Sequence, residues 1–287
     1  AGATMIFPSE GFEPDKTMYA LKKESCTAIH GVPTMFSAML ASSEFDGKRI
    51  KSLRTGIMAG SQCPEVLMRR VLYDLGCSEI TIAYGMTETS PISFQSDVND
   101  PVDVRVSTVG RIQPHCEVKI VEDDGSTCAV GQTGELWTKG YLVMKGYWND
   151  AEATQSSIEN GWMKTGDLAT IDNEGFCRIV GRKKDMVIRG GENIYPAELE
   201  EFLTDQKGIL EAHVFGIPDE KFGEQLVAWI IAEEGITLDE TTIQNLCKNA
   251  LAYYKVPAIV RFVKEVPLTA TGKPQKFKMR EIMLNET

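Results

Sequence analysis

Five short clusters in this sequence carry residue types suited to chemistry on a phosphate-bearing ligand. The first is Tyr84-Gly85-Met86-Thr87-Glu88, directly after the apolar run Ile80 to Ala83. Ligands gather at the carboxyl ends of strands in an open α/β sheet. There Gly85 permits close backbone approach and Tyr84 offers a flat face to a base. Thr87 supplies a donor to phosphate, and Glu88 a hard oxygen ligand for Mg2+. An ordinary strand-to-loop turn explains the same residues. The second cluster is Thr165-Gly166-Asp167, whose carboxylate can accept two hydrogen bonds from a ribose diol or cap its own turn. The third is Gly181-Arg182-Lys183-Lys184-Asp185 followed by Ile188-Arg189-Gly190-Gly191-Glu192-Asn193-Ile194-Tyr195-Pro196, which combines cations, a Gly-Gly backbone and a proline-led helix; a charged linker plus a turn is the alternative. The fourth, Pro267 to Lys273, puts a lysine on a glycine turn, where it can meet developing negative charge or simply be solvated. The fifth, Gly60-Ser61-Gln62, is a small-residue turn after a strand.

Other chemistries find little purchase. His30, His115 and His213 lie too far apart to suggest a metal or a catalytic triad. No G-x-S-x-G elbow, H-E-x-x-H, Walker loop or G-x-G-x-x-G is present. The seven cysteines (26, 63, 77, 116, 128, 177 and 247) are scattered, with no C-x-x-C pair, which speaks against a zinc site and for a reducing, intracellular setting. No signal peptide is visible, and the first residues, starting at Ala1, read like the middle of a domain. The expectation is a piece of something longer.

The elements that must position these clusters fall into three stretches. Residues 2–7 are apolar enough to predict a buried strand. Helices are predicted over Pro14 to Lys23, from Val32-Pro33-Thr34 onward, and over Pro64 to Leu75. Strands are predicted over Cys26 to Ile29, Arg54 to Ala59 and Ile80 to Tyr84. This alternation over 1–90 implies a mostly parallel α/β layer. Residues 106–182 are rich in short strands and glycine turns: Glu117 to Val121, Glu135 to Lys139, Ala169 to Ile171 and Phe176 to Val180. They predict a barrel-like antiparallel region. After Lys184 come a helix over Ala197 to Leu203, strands over His213 to Ile217 and Leu226 to Ala232, a helix over Thr241 to Ala252 and a strand over Ile259 to Val263. These form a small α+β domain. The fold class is therefore α/β plus α+β, with domains 1–183 and 184–287.

Composition agrees. The 287 residues are 43% hydrophobic and 25% charged, as in ordinary globular chains. The longest apolar run, Leu226 to Ala232, is far too short to cross a bilayer. A net charge of −11, spread evenly, argues against a nucleic-acid partner. Lys255 to Arg280 is a local exception, with seven basic residues against Glu265 alone.

In order, the motifs are Tyr84 to Glu88, Gly134-Glu135-Leu136, Gly146-Tyr147-Trp148, Thr165 to Asp167, Gly181-Arg182-x-Lys184-Asp185, Gly190-Gly191-x-Asn193-Ile194-x-Pro196-x-Glu198-x-Glu200 and Thr271-Gly272-Lys273. This series resembles the adenylate-forming superfamily, which includes acyl-CoA synthetases, firefly luciferase and peptide-synthetase adenylation domains. The resemblance runs from about Cys26 to Arg280 and is greatest to medium-chain acyl-CoA ligases of the acyl-CoA synthetase family member 2 type. It implies that 1–183 is the carboxyl-terminal part of a large AMP-binding domain, with a small β-barrel, and that 184–287 is a small mobile domain.

The resemblance also implies two half-reactions. A carboxylate attacks the α-phosphate of Mg·ATP to give acyl-AMP and pyrophosphate. The thiol of coenzyme A then attacks the acyl carbon and AMP leaves. By the family pattern Gly60 and Ser61 would line the adenine, with Tyr84 and Gly85 opposite. Thr87 would touch phosphate and Glu88 would hold Mg2+. Asp167 would bind the ribose, with Arg182 beside it, and Lys273 would neutralise charge on the reacting groups. Lys184 matches the hinge, and Gly190 and Gly191 would face the pantetheine arm. A Ser/Thr/Gly-rich loop for the outer phosphates is also expected, and no segment matches it. This implies that the fragment alone is inactive, or that the chain is a non-catalytic short form binding nucleotide or CoA. A peptide-synthetase-type enzyme would continue into a carrier domain, and this sequence stops at Thr287. The subgroup suggests the mitochondrial matrix.

Overall fold

A computed structural model describes residues 2–61, 63–269 and 273–286. The chain divides into two compact units, 1–165 with 170–179 and 166–169 with 180–287. The first begins with α1 (Pro14–Lys23), β1 (Ala28–Gly31), α2 (Pro33–Leu40), β2 (Thr55–Ala59), α3 (Glu65–Arg70) and β3 (Glu79–Gly85). It continues with β4 (Ile92–Gln95), α4 (Val102–Ser107) and β5 (Arg111–Ile112). The five strands form one sheet in the order β1-β2-β3-β4-β5. The first three are parallel, β4 is antiparallel to β3, and β5 is antiparallel to β4.

Each helix presents an apolar stripe to this sheet. Met18 and Leu21 of α1 and Phe36, Met39 and Leu40 of α2 are buried with Met58, Met68, Leu75 and Ile80. Spacings of three and four put such residues on one helical face. Pro14 and Pro33 start α1 and α2, where the missing N–H costs nothing. The helix expected over 64–75 is present as α3 followed by a wider π turn, Val71–Leu75, closed by Gly76 in the left-handed region.

The strand expected over 2–7 is not there. Those residues are irregular and exposed, with Met5 and Phe7 76% and 80% accessible. Apolarity alone does not make a strand; a neighbour must take its backbone hydrogen bonds, and none does so among the described residues.

The second expectation to change is the barrel. Residues β6 (Cys116–Val121), β7 (Gly134–Gly140), β9 (Trp162–Ile171) and β10 (Cys177–Arg182) form an open sheet in the order β10-β9-β7-β6. Helix α5 (Ala151–Ser157) leads into the two-residue β8 (Ile158–Glu159), which pairs only with β9. Glycine turns dictate antiparallel pairing, as between β6 and β7. Closure needs the first and last strands to bond to each other, and β6 and β10 do not. One face carries a ladder of cations on indole rings, with Lys119 4.5 Å from Trp137 and 4.7 Å from Trp162.

The second unit is a sheet with helices on both faces. Its strands are β11 (Val187–Arg189), β12 (Glu192–Ile194), β13 (Ile209–Asp219), β14 (Gly223–Ala232) and β15 (Ile259–Phe262), ordered β12-β11-β14-β13 with β15 parallel to β14. Alternation along β14 splits the core. Leu226, Ala228 and Ile230 pack with Leu199 and Leu203 of α6 (Pro196–Thr204) and with Ile243 and Cys247 of α7 (Glu240–Ala250). Val227 and Trp229 pack with Phe215 and with Met279 of α8 (Lys276–Glu286). The period-2 rule assigns the two faces.

Candidate functional site

In the first unit the parallel register Ala59↔Ala83 sets Gly60-Ser61 and Tyr84-Gly85 side by side at the carboxyl end of the sheet. Tyr84 is half-buried, its ring edge-on to Phe94 at 6.2 Å. Gly85 has a local reason to be glycine: a Cβ there would lie 1.6 Å from the Pro91 carbonyl oxygen.

Beyond Gly85 the chain makes a tight turn, Thr87–Thr89, centred on buried Thr89. The Thr89 hydroxyl accepts from the Met86 N–H at 3.2 Å and lies 3.2 Å from both the Pro91 carbonyl and the Ser93 hydroxyl. This knot leaves Thr87 exposed and Glu88 half-buried beside it. The Glu88 carbonyl accepts from the Met144 N–H at 2.8 Å, and its Oε1 accepts from the Tyr147 hydroxyl at 2.8 Å. That carboxylate holds the Tyr147 phenol above its ordinary pKa, since loss of the proton would set two negative groups together.

The structure thus brings Gly60, Ser61, Tyr84, Gly85, Thr87 and Glu88 to one end of one sheet. Gln62, of the same cluster as Gly60 and Ser61, lies outside the described residues. The sequence alone points to no role for Thr89 or Tyr147. Thr89 had a readable signal, a threonine three residues after Met86 that can cap the turn. Tyr147 had none beyond its place in Gly146-Tyr147-Trp148.

In the second unit Asp167 and Arg182 meet, with Nε of Arg182 2.8 Å from Oδ1 of Asp167. The Asp167 side chain is only 7% exposed and that of Arg182 48%, so a buried carboxylate is met by a cation that still reaches solvent. Lys184 is exposed on the short turn Lys183–Asp185, closed by the Met186 N–H on the Arg182 carbonyl.

Gly190 and Gly191 form the turn between β11 and β12, with φ of +61° and +88°. Two successive left-handed residues make the tight hairpin turn that glycine permits. The Gly190 N–H donates to the Phe222 carbonyl, and Arg189 donates to the carbonyls of Tyr254 and Val256, each at 2.9 Å. Lys273 is exposed at the foot of a loop, its N–H on the Thr269 hydroxyl and its carbonyl accepting from the Thr269 N–H. Thr271 and Gly272 lie outside the described residues. Among the described residues the Lys273 side chain makes no hydrogen bond or ion pair, and nothing links it to the Asp167–Arg182 pair.

Among the described residues no group of three or more His, Cys, Asp or Glu is placed to hold a metal. Glu88 is a single carboxylate with a hydroxyl neighbour. That donor set fits magnesium, which keeps its waters and binds through one or two carboxylates plus substrate phosphates. Cys77 and Cys177 have thiols pushed up by burial to about 12, and Cys247 to about 11, so they are poor nucleophiles at neutral pH. No helix of the described residues is long and apolar enough to cross a membrane.

The chain is similar in sequence and fold to known proteins. The putative acyl-CoA synthetase YngI of Bacillus subtilis is 50% identical over 284 residues, 98% of this chain and 51% of the relative. The mitochondrial medium-chain acyl-CoA ligase ACSF2 of Danio rerio is 45% identical over 282 residues, 98% of this chain and 46% of the relative. The chain therefore spans about half the length of these relatives. Among solved structures, ATP-bound MatB from Rhodopseudomonas palustris superposes with a TM-score of 0.87 at 32% identity, covering 94% of this chain and 53% of that one. The anthranilate CoA ligase AuaEII bound to anthranoyl-AMP superposes at 0.88 and 28% identity, covering 98% and 55%. The AMP-binding enzyme family matches residues 1–148, and its carboxyl-terminal domain matches residues 198–273. By these two matches, the chain belongs to the AMP-binding, adenylate-forming enzymes.

Proposed function

We propose that this chain forms part of an ATP-dependent carboxylic acid–CoA ligase acting on medium-chain fatty acids through an acyl-AMP intermediate. The observation that carries the reading is the set of six residues at the carboxyl end of the first sheet, with the Glu88 carboxylate held there by Tyr147. The similarity to the medium-chain acyl-CoA ligase of Danio rerio supports the acid class.

In this reading Gly60, Ser61, Tyr84 and Gly85 receive the adenine, and Thr87 donates to a phosphate oxygen. Magnesium, when bound, neutralises phosphate charge beside Glu88. Asp167 accepts from the ribose hydroxyls while Arg182, 2.8 Å away, holds that carboxylate in orientation. Lys273, whose side chain has no partner among the described residues, offsets the charge that builds as carboxylate and α-phosphate react. Such chemistry rests on positioning and charge stabilisation more than on a protein nucleophile. We further assign the boundary between domains to 183/184, with Lys184 as the hinge that lets the smaller domain change orientation between half-reactions. Gly190 and Gly191, already bare of side chains, would face the pantetheine arm. Seven unpaired cysteines support an intracellular setting; the mitochondrial matrix is carried over from the names of the vertebrate relatives.

The test is carboxylate-dependent pyrophosphate exchange over acids of two to eighteen carbons, on the protein at its full natural length and on residues 1–287 alone. Exchange greatest near eight to twelve carbons in the full-length protein supports the proposal. Exchange with none of the acids refutes it. AMP or CoA binding without exchange in both proteins supports the non-catalytic reading instead.

A further inference from the structure

One group without an assigned role touches a candidate site residue through its functional atom. The Tyr147 hydroxyl donates to Oε1 of Glu88 at 2.8 Å. The contact is built from both sides. In front, the Met144 N–H donates to the Glu88 carbonyl, so the segment is tied to the same residue a second time. Behind, the Tyr147 N–H donates to the Thr154 hydroxyl at 2.9 Å, and that hydroxyl donates to the Asp150 carbonyl at 2.7 Å. Asp150 is itself the N-cap of α5, its Oδ1 accepting from the Ala153 N–H at 2.9 Å. Gly146 lies against the same threonine, where a Cβ would sit 2.9 Å from Thr154 Cγ2. The first turn of a capped helix therefore sets where the phenol stands.

A glutamate carboxylate turns easily about its last torsion, which is broad and roughly two-fold. A ligand oxygen that must be presented to a cation gains from a partner that takes the other oxygen. Oε1 is taken here. Among the described residues no hydrogen bond reaches Oε2.

We propose that Tyr147 is a positioning residue for the divalent cation, occupying Oε1 of Glu88 so that Oε2 is presented to the metal–nucleotide. The inference rests on the proposed role of Glu88. Tyr147 acts through Glu88 and touches no reactant.

The experiment uses Tyr147→Phe in the protein at its full natural length. Mn2+ is titrated in the presence of ATP, and free Mn2+ is read by electron paramagnetic resonance. The Mg2+ dependence of pyrophosphate exchange is measured in parallel. The expected result is Mn2+ affinity weakened about tenfold, half-saturating Mg2+ raised by a similar factor, and the KM for the carboxylic acid unchanged. Glu88→Gln is the reference. If Glu88→Gln weakens Mn2+ binding and Tyr147→Phe does not, the inference about Tyr147 falls and the role of Glu88 stands. If neither weakens it, both fall. Should Tyr147→Phe lower the thermal midpoint, Thr154→Val is read in the same way. It keeps the phenol and removes the acceptor behind it, and unchanged Mn2+ affinity there overturns the proposal.

Discussion

Gly85→Ala separates a structural glycine from a ligand-contacting one. The added methyl would sit 1.6 Å from the Pro91 carbonyl oxygen and 2.7 Å from its carbonyl carbon. Both are backbone atoms, so no side chain can swing aside. The carbonyl must retreat by more than an ångström, and Pro91 leads directly into β4, where Gly85 pairs with Ile92 at a register irregularity. Overpacking ordinarily costs about 1–3 kcal/mol. With backbone on the receiving side and a strand pairing disturbed, we expect the upper end, about 3 kcal/mol. At about 2–4 °C per kcal/mol for domains of this size, the unfolding midpoint should fall by roughly 6–12 °C. Two units need not unfold together, so the assay follows amide exchange in β3 as well as the calorimetric transition. Gly11→Ala is the control, because its Cβ would meet nothing within 4 Å, and it should change stability by less than about 0.5 kcal/mol. A Gly85→Ala protein as stable as that control would refute the close-approach reasoning. Lost nucleotide binding at unchanged stability would assign the glycine to the ligand.

Arg182→Ala should destabilise the second unit by about 1–2 kcal/mol, measured by urea denaturation. It removes a cation 2.8 Å from the buried Asp167 carboxylate, while the half-exposed arginine was already partly screened. Lys273→Ala should reduce adenylation about a hundredfold without changing the unfolding midpoint, because the side chain has no hydrogen bond or ion pair among the described residues; full pyrophosphate exchange would remove the role given to it. Stability should decline in alkali. The thiols of Cys77 and Cys177 are raised from 9.0 to about 12, so the folded state holds these protons more tightly than the unfolded one. Their contribution is complete below pH 9 and is lost as pH rises toward 12, and Cys77→Ala with Cys177→Ala should flatten denaturation midpoints measured from pH 8 to 10.5.

Much of this molecule is local and therefore legible. Apolar spacing and proline starts mark α1, α2 and α6, and short apolar runs mark β13 and β14, because such patterns report directly what is covered. The order of the motifs identified the family, since each is a contiguous backbone shape carrying a few functional atoms. What escaped depends on partners distant in the chain. Residues 2–7 are as apolar as a strand, but no neighbour bonds to them among the described residues. The short strands of 106–182 implied a barrel, but closure is a bond between β6 and β10, which neither strand encodes alone. The hairpin β11–β12 shows in the sequence only as a Gly-Gly turn before a helix, because three-residue strands are too short to show a period.

The site divides in the same way. Sequence by itself determined which atoms are on offer for the proposed chemistry: the Glu88 carboxylate as a hard ligand, Asp167 and Arg182 as opposite charges, Lys273 as a cation on a loop. Tertiary structure alone decided how they are held. Tyr147 reaches Glu88 across 59 positions, Arg182 meets Asp167 across neighbouring strands, and Pro91 makes Gly85 obligatory. A residue type fixes the atoms on offer. The orientation and company of those atoms arise only when the chain brings distant segments within hydrogen-bonding distance.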